Sequence, residues 1–132
     1  MKEIFEQVVD SYHRCRHTGE FFDTFYEIFL GKSPEIAAKF VHTDFAHQKL
    51  MLKQSLFEML NFYGGIESVR QEIEQLGRRH RELDVRAEHY ELWLDSLCEA
   101  VVRHDPEYRE ELSQLWREAM RPGIATMLAA PG

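Results

Sequence analysis

Apolar residues recur at three- and four-residue spacing through almost the whole chain, the period of one face of an α-helix, while Val and Ile do not gather in the alternating runs that mark strands. A first amphipathic segment covers about Lys2 to Arg16, with Ile4, Phe5, Val8, Val9, Tyr12 and Cys15 on one face, and Thr18-Gly19 breaks it. A second runs from about Glu20 to Leu30 with Phe21, Phe22, Phe25, Tyr26 and Phe29 on a wide aromatic face, and Gly31 ends it. Ser33-Pro34-Glu35 is an N-cap signature, with a cap hydroxyl, Pro at the first helical position and an acid in the first turn; the short helix it opens reaches Phe40.

Thr43-Asp44 caps the next helix, whose stripe of Phe45, Gln48, Leu52, Leu56 and Met59 runs until Gly64-Gly65 stops it. Another helix is predicted from about Ile66 to His80, with Ile66, Val69, Ile73 and Leu76 inward. Two more cover Arg86 to Arg103 and Asp105 to about Leu128, the last opened by Asp105-Pro106-Glu107. Pro122 has no N–H to give the Glu118 carbonyl, so a kink or an early end is predicted there. The expectation is an all-α fold of six to seven helices in one packed domain, residues 1–132, with no repeats and no linker.

Composition narrows the class. Apolar residues are 44% and charged residues 30% of the 132, which is ordinary globular usage. The net charge is −7, with Lys and Arg scattered among the acids, so nucleic acid is not expected as the main partner. Acids in the first turns argue against a secretory signal, and no window approaches the roughly 18 apolar residues of a membrane span. A cytoplasmic location is expected. Cys15 and Cys98 have no neighbouring Cys and no Cys-x-x-His spacing, so they are expected as reduced, half-buried packing residues and not as zinc or iron–sulfur ligands.

Three polar side chains fall on otherwise apolar faces. His80 shares its stripe with Ile73 and Leu76. Such a histidine is either a satisfied core residue, a charge at a helix C-terminus, or a neutral imidazole offered to a haem iron with its other N–H held, here by the Leu76 carbonyl one turn back. Tyr26 is either a core tyrosine whose hydroxyl reaches solvent or a backbone carbonyl, or a donor to a ligand. Gln48 lies between Phe45 and Leu52; a lone inward amide costs about 1–3 kcal/mol if unpaired, so it asks for a partner, and a bound polar ligand beside Tyr26 would be one. His42, His47 and His89 lie nearby in sequence; His47, adjacent to Gln48, points roughly 100° away from it.

The pair Phe25-Tyr26, the Ser33-Pro34-Glu35 turn, Phe40 with Thr43-Asp44 after it, and Arg78-Arg79-His80 resemble the bacterial single-domain globins and the globin domain of flavohaemoglobins over nearly the whole chain. Phe40 follows Tyr26, and His80 follows Gln48, at the intervals found in flavohaemoglobin-like sequences. The resemblance implies a globin fold enclosing one haem, of b type because no Cys-x-x-Cys-His attachment is present. It implies His80 as proximal iron ligand, Phe40, Leu52, Leu56, Leu76, Val85 and Trp93 on the cofactor's apolar faces, and Met51 touching it from the distal helix. Tyr90 falls where those proteins carry a tyrosine bonding the proximal histidine, and Arg79 or Lys49 is implied at the cofactor's propionates.

On the distal side the resemblance implies Tyr26 as principal donor and Gln48 as second donor to a bound ligand. The glutamate that completes a His-Tyr-Glu relay in flavohaemoglobins would fall beyond Gly132, and no flavin- or nicotinamide-binding stretch occurs within these residues. Reversible binding of O2, and of NO or CO, is therefore expected from a monomer or homodimer. NO dioxygenation with an external reductase is the alternative.

Overall fold

The computed structural model describes residues 3–131. Among them the chain is built from seven helices: α1 (Ile4–Cys15), α2 (Phe21–Leu30), α3 (Pro34–Lys39), α4 (Phe45–Tyr63), α5 (Arg70–Glu82), α6 (Ala87–His104) and α7 (Glu110–Ala129). Lys2, the expected start of the first helix, lies outside the described residues. Two caps form as their sequences require. The Ser33 hydroxyl accepts from the backbone N–H groups of Glu35 and Ile36, with Pro34 leading α3, and the Asp44 carboxylate accepts from those of Ala46 and His47 at the start of α4.

Three boundaries differ from the sequence reading. The helix expected from Ile66 begins as a 3₁₀ turn over Glu67–Val69, and only then does α5 start, at Arg70. Ile66 thus sits outside the helical stripe and is 49% exposed instead of inward. At its other end α5 runs past His80 to Glu82 and closes with Asp84 at φ 58°, where the N–H of Val85 reaches the His80 carbonyl and that of Asp84 the Arg81 carbonyl. This double closure usually uses glycine; an aspartate in the left-handed region hid it from sequence reading.

The third difference is at Asp105, which does not open α7. Its carboxylate accepts from the Glu107 backbone N–H as a cap would, but also from the Ser11 hydroxyl at 2.6 Å and from Arg14 Nε at 2.7 Å; only a turn follows it, and α7 begins at Glu110. The same Ser11 hydroxyl accepts from Trp116 Nε1 at 3.0 Å, tying α1, the α6–α7 corner and α7 together. Pro122 does not end α7, which continues to Ala129. Packing explains this, because α7 lies against α1, α4, α5 and α6, and burial along four neighbours outweighs one missing backbone bond.

The core is a single hydrophobic cluster to which every helix contributes, with Phe21, Phe25, Leu56, Ile73, Leu94, Leu97 and Trp116 almost fully buried. Cys15 and Cys98 are free thiols buried more completely than expected, and burial pushes them up to about 12 and about 11, so they act as packing residues. Gly77 lets α5 cross α7 closely, since a Cβ there would meet the Met127 backbone carbonyl oxygen at 2.4 Å. Among the described residues, no helix is long and apolar enough to cross a membrane.

Asp105 makes a pH-dependent contribution to this arrangement. Burial by itself disfavours its charge, but the hydrogen bonds from Arg14, Ser11 and the Glu107 backbone outweigh burial and hold its carboxyl below the usual carboxylate range. A depressed carboxyl stabilises the fold above its unfolded value, roughly pH 4, and that contribution is lost as the pH falls through the folded value. Asp105→Asn is expected to lower stability by about 2 kcal/mol at pH 7 in urea unfolding, and the gap from the parent should narrow near pH 3.

Candidate functional site

The helices do not close completely. Between α2, α3 and α4 on one side and α5 and α6 on the other lies a cavity of about 480 Å³, with Ile124 and Met127 of α7 among its walls. Tyr26, Phe40, Gln48, Met51, Leu52, Leu76, Arg79, His80, Val85, Tyr90 and Trp93 all line it, so a set dispersed along the sequence is brought into one space.

His80 is placed by local structure twice over. Its carbonyl is fixed by the Val85 N–H in the α5 closure, and its Nδ1 lies 2.8 Å from the Leu76 carbonyl oxygen. A carbonyl can only accept, so Nδ1 carries the hydrogen and Nε2 keeps its lone pair. Burial pushes the imidazolium below the ordinary histidine value; the Leu76 carbonyl opposes this and the Arg79 charge adds to it. At neutral pH the ring is an uncharged base with a fixed tautomer. Tyr90 meets it with its ring, centroids 5.9 Å apart and edge-on, while Nδ1 is held by the backbone.

Across the cavity, Gln48 Nε2 donates to the Tyr26 hydroxyl oxygen at 3.0 Å. The inward amide therefore has a protein partner. Burial pushes the Tyr26 phenol up to about 12, with the Gln48 bond opposing, so the hydroxyl stays protonated, and its hydrogen is not spent on Gln48. The rings of Phe40 and Phe45 stack at 6.0 Å, and both pack on the edge of Tyr26. This aromatic corner fixes the direction in which the hydroxyl points.

Two expected residues fall elsewhere. Leu56 is fully buried in the core but does not line the cavity, because the α4 wall follows His47, Gln48, Met51, Leu52, Ser55 and Met59; His47, expected to point away from Gln48, is thus on that wall. Lys49 is one residue round the helix from Gln48 and pairs with Asp23 at 2.6 Å, away from the cavity. Sequence reading also missed wall residues. Met59 was on the predicted stripe, and its reach could have been argued from spacing; Ile124, Met127, Ile36 and His89 arrive by tertiary packing alone.

His89 belongs to a second cluster, in which ligand-type atoms of Glu35, Glu88 and His89 all lie within 4.8 Å of one another. Metal binding is opposed by the tautomer. The Arg86 backbone N–H donates to His89 Nδ1 at 2.9 Å, so in the neutral ring the hydrogen is on Nε2 and no lone pair faces the carboxylates. Arg86 also neutralises Glu35 and Glu88. The cluster is a salt-bridged joint between α3 and α6. His89 Nε2 is buried in it without a hydrogen-bond partner, with the Glu35 carboxylate 3.7 Å away.

The residues lining the main cavity fit a flat, largely apolar cofactor that carries a metal and peripheral anions. Of the three histidines that line it, His47, His80 and His89, His80 is the one whose Nδ1 is held by a carbonyl so that its Nε2 lone pair is left over; the walls are largely aromatic and aliphatic, and cations occur at the rim. A globin family model matches residues 23–128 of the chain. Flavohemoproteins of Bacillus thuringiensis subsp. konkukian and Bacillus anthracis are each 29% identical over 99 residues, a match covering 72% of this chain and 24% of theirs. The chain thus spans about a quarter of the length of these curated relatives. A Pseudomonas aeruginosa PAO1 protein, whose crystal structure is described as structurally highly homologous to a human hemoglobin, is 38% identical with a TM-score of 0.91; the match covers 98% of this chain and 99% of that one.

The Tyr26–Gln48 bond can be tested by stability alone. Tyr26→Phe removes the acceptor and leaves a half-buried amide without its partner, so unfolding free energy should fall by about 1 kcal/mol. Adding Gln48→Leu should recover much of that loss, because the unpaired donor is removed too. Additive losses in denaturant titrations of the single and double variants would show that the two side chains are not coupled.

Proposed function

The chain belongs to the globin family, and from that membership we propose that its cavity holds one b-type haem and through it binds O2 and related diatomic gases. The observation that carries this reading is the state of His80: an uncharged imidazole lining the cavity, its Nδ1–H bound to the Leu76 carbonyl and its Nε2 lone pair uncommitted. Bound haem would supply an iron with one position for a protein nitrogen and one for a small ligand. His80 is the nitrogen donor in this reading, and Phe40, Leu52, Leu76, Val85 and Trp93, with Met51, give the apolar walls that exclude water. Arg79 would face a peripheral carboxylate.

The distal chemistry belongs to Tyr26. Its hydroxyl accepts from Gln48, so its own hydrogen is available to a guest, and accepting one bond strengthens the bond it donates. In this reading Gln48, the second donor, acts through Tyr26. O2 gains negative character on binding and CO gains little, so a fixed donor favours O2. A second reading, NO dioxygenation with electrons from an external reductase, draws on the same Tyr26–Gln48 pair and on the likeness to flavohemoproteins. The proximal side argues for binding over turnover, because His80 Nδ1 is held by a neutral carbonyl and not by a carboxylate that would make the ring more basic. Stoichiometric NO consumption by the O2-loaded protein, with rapid re-reduction by a reductase, would favour the second reading.

Two measurements test the assignments. His80→Gly should retain haem poorly, and added imidazole should restore retention; normal retention and an unchanged ferrous spectrum without imidazole would place the iron ligand elsewhere. Tyr26→Phe should raise the O2 release rate on the order of 10- to 150-fold while barely changing CO release, the equivalent of about 1.5–3 kcal/mol for a hydrogen bond to a charged group. An O2 release rate within about twofold of the parent would remove Tyr26 as principal donor.

A further inference from the structure

Two cations line the cavity, Lys39 at the end of α3 and Arg79 in the last turn of α5. Several other cations pair with the chain's own acids, as in Arg14–Asp105, Lys32–Glu99, Lys49–Asp23, Arg117–Asp95 and Arg121–Glu91, while Arg81, away from the cavity, reaches only the Leu128 carbonyl. Among the described residues neither Lys39 nor Arg79 has such a partner, although the chain carries 23 acids against 16 Lys and Arg. The acids beside them are engaged: the Asp44 carboxylate caps α4, and Glu35, one turn before Lys39 on α3, is taken by Arg86.

Lys39 Nζ instead donates to the Leu83 carbonyl oxygen at 2.9 Å, spanning from α3 to the end of α5 beside the cavity. Lysine at a helix C-terminus commonly satisfies such a carbonyl, and that role alone would explain the bond. An ammonium has three donors, however, and the bond to Leu83 uses one. The remaining two are carried on a side chain whose long stem is already held in place, so less conformational freedom is lost when an anion meets them.

We propose that Lys39 is an anion anchor of this cavity, holding one of the two carboxylates of bound haem while Arg79 faces the other. The proposal rests on the haem reading of the cavity. It replaces Lys49, which is bound to Asp23, with a residue that α3 presents beside the Phe40 ring, so one short helix would contact both the face and the charged edge of the cofactor.

The test varies both sides of the contact. Haem loss to excess apomyoglobin is followed for the parent, Lys39→Met and Lys39→Arg, each loaded with haem or with haem dimethyl ester, whose carboxylates are uncharged. With haem, Lys39→Met should lose cofactor about three- to tenfold faster than the parent, Lys39→Arg should behave like the parent, and the effect should shrink at 1 M salt. With the dimethyl ester, parent and Lys39→Met should release at the same rate. An equal acceleration with both cofactors would mean that Lys39 acts only by bracing α3 against α5, and would overturn the proposal, as would no acceleration with either. If the parent itself forms no haem complex by absorption spectroscopy, the haem reading fails first and the proposal falls with it.

Discussion

The hydrogen bond between His80 Nδ1 and the Leu76 carbonyl, at 2.8 Å, decides which ring nitrogen carries the hydrogen, and everything proposed for the cavity depends on that choice. Were Nε2 protonated, the cavity would present a donor, as His89 does at the α3–α6 joint, and a metal could not be held there. The two histidines show how little separates the roles. Each is fixed by a neighbouring backbone group, a carbonyl for His80 and an N–H for His89, and that difference alone makes one ring a prospective ligand and the other a structural donor.

The position of that ring rests on packing further away. Gly77 lets α5 lie against the α7 backbone at Met127, one turn before His80. The far end of α7 is held through Trp116 and Ser11 to Asp105, which also grips Arg14 of α1. On the other wall, the rings of Phe40 and Phe45 steer Tyr26, and Gln48 occupies one lone pair of its hydroxyl. The two walls are thus set by different networks, so the proximal base and the distal donor are open to separate alteration.

Much of this was legible in the sequence because it is local. Helical periodicity pointed to six of the helices and the Ser33-Pro34-Glu35 cap to the short α3, while Asp44 marked the start of α4, because capping depends on a few adjacent atoms. The bond from His80 to Leu76 was foreseeable from the one-turn spacing. What escaped depended on contacts distant in sequence or on an uncommon backbone state. Asp105 caps only a turn and spends its oxygens on Ser11 and Arg14 as well, and Asp84 adopts a conformation that sequence patterns assign to glycine. The partner of Gln48 was expected in a ligand and was found in Tyr26. Lys39 gave no local signal, being one charge among many until the fold set it on the cavity wall.

The most direct test of the central claim is resonance Raman spectroscopy of the ferrous protein after titration with one equivalent of haem, with and without nitrogen-15 labelling of histidine. A neutral, carbonyl-held His80 predicts stoichiometric uptake and an iron–nitrogen stretching band that shifts on labelling and lies at the frequency of a neutral imidazole ligand. Absence of a label-sensitive band, or a band at the higher frequency of an imidazolate-like ligand, would contradict the account.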